Sequence, residues 1–160
     1  MGYYLEDTLT GERLPATISR LSRKDVMLIS SKQFHFDWSK EARFEVYALR
    51  IGHSREILGL VSIDYQPANC AIEIRLIANA SEHTGRRKRY SRIAGSLFAF
   101  VCLKSIDAGF DGFVYLRPKT KIIDHYRSVY GFRYTGFSMI TEGHNTELLI
   151  SRYHEETDQK

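Results

Sequence analysis

Arg89-Tyr90-Ser91-Arg92-Ile93-Ala94-Gly95-Ser96-Leu97 decides how this chain is read. It is a basic turn that runs directly into an apolar-periodic helix. A helix start leaves backbone N–H groups without intrahelical partners, and the macrodipole adds partial positive charge there. Phosphates settle readily at such starts. Ala94 and Gly95 carry little or no side chain, so a pyrophosphate can approach the backbone. Five of the seven residues from Arg86 to Arg92 are basic, enough to attract a multiply charged anion. The stretch predicts a site for a phosphorylated ligand at a strand-to-helix junction.

The rest of the composition fits one cored domain over 1–160, with its centre in 44–140 and a polar, frayed end at 154–160. Apolar residues make up 43% and charged residues 26%, ordinary values for a globular chain, and 10 Tyr with 9 Phe supply core material. The net charge of +4 is about what the 86–92 cluster contributes alone, which favours one local anionic ligand over a basic face. No run of 18 apolar residues and no N-terminal apolar signal segment occurs, and the cysteines are only Cys70 and Cys102. A cytoplasmic, disulfide-free protein is expected, without a membrane span. The six histidines show no i, i+4 pair and no Cys–His spacing, so no metal site is expected.

Working outward, Ser22 is placed to cap a short helix through 23–29, and Phe34-His35-Phe36-Asp37-Trp38 suits a loop or strand end that plugs the core. Segments 44–51 and 56–63, separated by Gly52-His53-Ser54-Arg55, read as an antiparallel hairpin. Alternation over 71–77 predicts a strand with Ile72, Ile74 and Leu76 on one face and Glu73 and Arg75 on the other. After the basic turn, Ile93, Leu97, Phe100 and Val101 repeat at helical spacing, with Gly109 as the stop. A strand at 113–116, a helix at 121–130 ended by Gly131, and two closing strands near 132–140 and 147–153 complete the order ββ-β-α-β-α-ββ. The fold class is mixed α/β (α+β), a mainly antiparallel central sheet flanked by helices.

This order and its motifs resemble the GNAT superfamily of acyl-CoA N-acyltransferases, and within it a bacterial GNAT-like group. The superfamily signature Gln/Arg-x-x-Gly-x-Gly/Ala is matched with Arg89 first and Ala94 last. A Tyr…Gly-Phe element is matched by Tyr126 with Gly131-Phe132. The bacterial group shares Phe36-Asp37-Trp38, the helix from Gly95 to Gly109, and the Lys-Thr-Lys-x-Ile-x-His-Tyr run at 119–126. Arg92 replaces the middle glycine of the signature. The segment from Asn79 to Lys88 is longer than the usual link, and Tyr126 stands five residues before Gly131 where four is commoner.

The resemblance implies an N-acetyltransferase that moves an acetyl or short acyl group from acetyl-CoA to an amine acceptor by direct attack in a ternary complex. Backbone at Leu76, Ile77 and Ala78 would contact the pantetheine and polarise the thioester. Arg89, Tyr90, Ser91, Arg92, Ile93, Ala94, Gly95 and Ser96 would hold the phosphates. Tyr126 is the donor to the departing thiolate and Glu73 the base, with His83 and His125 as alternatives. Arg86, Arg87 and Lys88 grip the 3′-phosphate, touch an acidic partner or sit in water, while Lys119 and Lys121 could meet the CoA end. A homodimer through the closing strands is also implied. Two other readings stay open: a non-catalytic CoA-binding or sensing module, and a nucleic-acid or acidic-partner binder using 85–92.

Overall fold

The structure, a computed structural model, describes residues 2–80 and 89–155. The chain opens with strands β1 (Tyr3–Asp7) and β2 (Arg13–Arg20), then short helices α1 (Arg23–Met27) and α2 (Ser31–Phe34). A 3-10 turn at Trp38–Glu41 leads into β3 (Glu45–Ile51), β4 (Gly59–Gln66) and β5 (Ala71–Asn79). After β6 (Tyr90–Ser91) come α3 (Ile93–Asp107), β7 (Val114–Leu116) and α4 (Ile123–Tyr130). Strands β8 (Arg133–Tyr134) and β9 (Met139–Thr141) precede the last helix, α5 (Gly143–Tyr153). The strands form one sheet in the order β6-β1-β2-β3-β4-β5-β7-β9-β8, antiparallel except for β5 against β7.

The two faces of the sheet bury separate cores. One, under α3, gathers Tyr47, Leu49, Val61, Ile63, Ile72 and Ile74 from the strands against Ile93, Leu97 and Phe98. The other sets Val46, Ala48, Leu60 and Ala78 against Val26, Phe34 and Trp38. The strict alternation across β3 is what a two-sided strand requires. Phe34 and Trp38 do plug the core, but from the end of α2 and the 3-10 turn, with the indole Nε1 donating to the Phe34 carbonyl at 3.1 Å. Ser22 caps α1 as expected, accepting from the Asp25 amide at 3.1 Å.

Three expectations are corrected. The segment 147–153 is the end of a helix, not a strand. A strand there would bury Leu148 with Ile150, whereas Leu148 is 42% exposed and the buried residues are Thr146, Leu149 and Tyr153, at helical spacing. Two strands, β1 and β2, precede the first helix. Their pattern shows few buried side chains beyond Leu5, Asp7 and Ala16, and pairing with β3 and β6 holds them in the sheet. Finally, Leu76 does not share a face with Ile72 and Ile74. The register against β4 runs Ser62↔Leu76 and then Ile63↔Ile74, so Arg75 is an extra residue that flips the parity. Leu76 packs with Ala78 in the second core, and Ile77 joins Ile74 in the first.

Gly59 sets the approach of α3 to the sheet. A Cβ built there would stand 2.6 Å from Ile93 Cγ2 and 3.1 Å from Leu97 Cδ1, with the Ala78 carbonyl oxygen at 3.7 Å. The start of α3 therefore rests on backbone, beside the end of β5. Gly59→Ala is expected to cost about 1–3 kcal/mol by overpacking, because the β-branched Ile93 has little freedom to yield. Urea denaturation checks this: the midpoint falls while the m-value is unchanged.

Candidate active site

The bulge in β5 marks where the sheet opens. Pairing with β4 continues to Asn79↔Gly59, but pairing with β7 stops at Ile74↔Leu116. Beyond that point no described strand covers the β7-side edge of β5. A cavity of about 100 Å³ occupies the gap. Ile74, Ile77, Leu116 and Tyr126 line it from the α3 side, and Phe36, Arg75, Leu76, Arg117, Lys119 and Ile122 complete the wall. Sequence reasoning named Leu76, Ile77 and Tyr126 separately, and the fold brings all three to this opening.

Tyr126 reaches the cavity from α4, with its ring against Phe98 (5.3 Å between centroids), Tyr130 (5.9 Å) and Phe132 (6.1 Å). Burial among these rings pushes its phenol up to about 12, so it is neutral at physiological pH. Gly131 ends α4 in the left-handed region, and a Cβ there would strike Asn145 Oδ1 at 2.1 Å. His125 is exposed on α4, with its ring near Tyr126 and Tyr130, and does not line the cavity.

Glu73 lies on the face of β5 opposite Ile72 and Ile74, as the alternation predicts. It sits level with Tyr115 of β7 and 3.8 Å from the Arg75 guanidinium. It does not line the cavity; Arg75 does. Arg75 in turn donates to Glu41 Oε1 at 2.7 Å and stacks over Phe44 at 3.8 Å. The Glu41 carboxylate is buried and also accepts from Ser62 Oγ at 2.9 Å. The hydrogen bond from Arg75 to Glu41, followed by attraction to Glu41 and Glu73, raises the Arg75 pKa. Glu41 was missed because nothing in the sequence links it to Arg75, 34 positions away.

At the far end of the β5 edge, beside Ala78, α3 begins. Arg92 has φ 80° and ψ 9°, the left-handed geometry natural to glycine. Its side chain turns away from the helix start. Nε donates to the Tyr4 carbonyl (3.2 Å), Nη2 to the Arg152 carbonyl (2.8 Å), and the guanidinium lies 3.9 Å from the Tyr4 ring. The first bond of the helix runs from the Ser96 amide to the Arg92 carbonyl, and no side chain caps the start. The amides of Ile93, Ala94 and Gly95 thus lack intrahelical acceptors. The Ser96 hydroxyl on the same turn is buried and makes no hydrogen bond. Gly95 also makes room for α5: a Cβ there would sit 2.1 Å from the Tyr153 ring.

The turn itself is tied to β1. Tyr90 and Ser91 pair with Asp7 and Glu6, and Thr8 donates to the Arg89 carbonyl. Arg89 lies 3.2 Å from Asp7 Oδ2 with its side chain half exposed. The Leu9 amide and Arg89 together hold the Asp7 carboxyl below its ordinary range. Arg86, Arg87, Lys88 and His83 lie outside the described residues.

Residue 92 offers a direct test of this geometry. Arg92→Gly and Arg92→Ala both lose the guanidinium bonds, but only alanine retains the left-handed strain. The alanine variant should be less stable than the glycine variant by about 1–2 kcal/mol. Equal urea midpoints would mean that residue 92 does not hold this conformation in solution.

No protein-family model matches the chain, and no curated protein matches it in sequence. Solved structures do. The spermidine/spermine N-acetyltransferase SpeG from Vibrio cholerae superposes with a TM-score of 0.61 at 14% identity, over 86% of this chain and 97% of that one. A mutant of the toxin AtaT, bound to acetyl-CoA and the C-terminus of the antitoxin AtaR, gives 0.57 at 14% identity over 86% and 99%. An IAA acetyltransferase from Bacillus cereus gives 0.52 at 16% identity over 74% and 77%. At these identities the likeness is one of fold: the chain shares the fold of these acetyltransferases.

Proposed function

We propose that the chain is an N-acetyltransferase that moves an acetyl group from acetyl-CoA to an amine by direct attack in a ternary complex. The observation that carries this reading is the opened edge of β5, with a neutral phenol at one end and an uncapped helix start at the other. Leu76, Ile77 and Ala78 would align the pantetheine along that edge. The amides of 93–95 would receive the pyrophosphate, with the orphan Ser96 hydroxyl on the same turn and Arg89, Tyr90, Ser91 and Arg92 shaping the approach. The free thiols Cys70 and Cys102 suit a reducing compartment, so we assign the protein to the cytoplasm.

In the reaction the amine nitrogen forms a bond to the thioester carbon while the carbon–sulfur bond breaks. The amine releases one proton, and the thiolate, once it has departed, takes up one from solvent. Holding both reactants in register supplies much of the acceleration. Tyr126 donates a hydrogen bond to the leaving sulfur. With its pKa near 12, against about 8.5 for a free thiol, the phenol stabilises the thiolate without surrendering its proton. Glu73, screened from the cavity by Arg75, would take the amine proton through water.

Binding is checked first. Acetyl-CoA at one hundred times its Kd should stabilise the fold by about 2.7 kcal/mol, read as a rise in Tm. No shift at millimolar acetyl-CoA overturns the reading. Given binding, Tyr126→Phe should keep the shift and lower the rate of thiol release by roughly 10²-fold. Activity should not decline through ionisation of Tyr126 as pH rises from 7 to 10, because the phenol stays protonated until near 12.

A further inference from the structure

We infer that the acceptor amine carries its own anionic group, a carboxylate or phosphate close to the nitrogen, held by Arg117 and Lys119. This rests on the acetyltransferase reading above and specifies its acceptor. The charged side chains lining the cavity are Arg75, Arg117 and Lys119, all cations, with no carboxylate among the lining residues. Arg75 is compensated by Glu41 and Glu73. Arg117 and Lys119 are exposed, and among the described residues neither has a carboxylate within 4 Å. Each rests over an aromatic ring instead, Arg117 4.8 Å from Phe137 and Lys119 4.4 Å from Phe36. A ring steadies a cation without using up its N–H donors, which stay available to an oxyanion.

Their position separates this pair from the phosphate end. Arg117 directly follows Leu116, the last β7 residue paired with β5, opposite Ile74. Across the bulge, Ile74 and Ala78 pair with Ile63 and Leu60 of β4, so about three residues of rise, roughly 10 Å at 3.3 Å per residue, separate Ile74 from Ala78, where α3 begins. Pro118 between the two cations fixes φ, so both leave the strand end in a restricted geometry. The cations therefore stand where the strands part, beside Tyr126, where the reacting groups would meet. A purely cationic amine would meet repulsion there. An amine with an adjacent anion would be held through that anion, and nearby positive charge favours the neutral amine that can attack.

The experiment uses matched acceptor pairs at saturating acetyl-CoA: the common amino acids against their carboxamides, and glucosamine 6-phosphate against glucosamine. The anionic member of one class should exceed its neutral partner in kcat/KM by about tenfold or more. The pair that responds identifies carboxylate or phosphate. Arg117→Met and Lys119→Met should each reduce that preference severalfold through acceptor KM, leaving the acetyl-CoA KM within twofold. Neutral members equal to anionic ones in the wild type would overturn the inference while leaving the acetyltransferase intact. So would variants that raise the KM for acetyl-CoA and leave the acceptor preference unchanged. Absence of acetyl-CoA binding would remove the parent reading and the inference together.

Discussion

One extra residue in β5 is the constraint on which the rest depends. Arg75 has no counterpart on β4, so the strand changes parity between Ile74 and Leu76. Before the bulge β5 pairs on both sides; beyond it, only β4 remains. The opened edge borders the cavity, and the parity change gives it two-sided walls. Ile77 turns to the layer of α3 and α4, while Leu76 and Ala78 turn to the layer of Trp38 and Phe34. A bulge needs something to fix its position, since slipping the register by one residue moves every side chain to the wrong face. Glu41 does this. Buried on the 3-10 turn, it requires partners to offset its desolvation, and Arg75 Nε with Ser62 Oγ supply them. Such a pair contributes little net stability, but leaving either half alone would be costly. Only one register satisfies both.

The start of α3 shows how a glycine conformation can be held by an arginine. Left-handed backbone costs a non-glycine residue about 1–2 kcal/mol. The guanidinium donates to two carbonyls, and hydrogen bonds to charged groups are worth about 1.5–3 kcal/mol each. The side chain that makes residue 92 unfavourable is thus the one that ties β1 and the end of α5 to the helix start. Tyr153 completes that junction by filling the space over Gly95.

Legibility in the sequence followed the range of the interactions involved. Helices α3 and α4 were readable because their periodicity and their Gly109 and Gly131 stops are local, and so were the strands around the 52–55 turn. Tyr126 was named through the resemblance of its Tyr…Gly-Phe element, although its spacing from Gly131 departs from the commoner one. The bulge was not: Ala71 to Ile77 alternates well enough to read as one unbroken strand, and only the pairing with β4 reveals the surplus residue. Glu41 was hidden for the same reason, since its function depends on residues 21 and 34 positions away. In 147–153, three consecutive apolar residues fit either period, and tertiary packing chose Leu149 and Tyr153. The packing of Tyr153 over Gly95 was hidden as well, because that ring comes from a residue 58 positions further along the chain.

The opening in the sheet also separates two kinds of chemistry. On the α3 side the wall is apolar and aromatic, and there a phenol with no described hydrogen-bond partner stays neutral. On the other side Arg75 stands between the cavity and the carboxylates of Glu41 and Glu73. A donor to a developing anion belongs in the first environment, because low polarity strengthens its hydrogen bond. A proton acceptor belongs in the second, where water and a charged network can carry the proton away. Had β5 kept its parity, Leu76 would share the face of Ile74, and the strand beyond the opening would present its side chains to the opposite layers. The displaced register is therefore a condition of the proposed chemistry as well as of the fold.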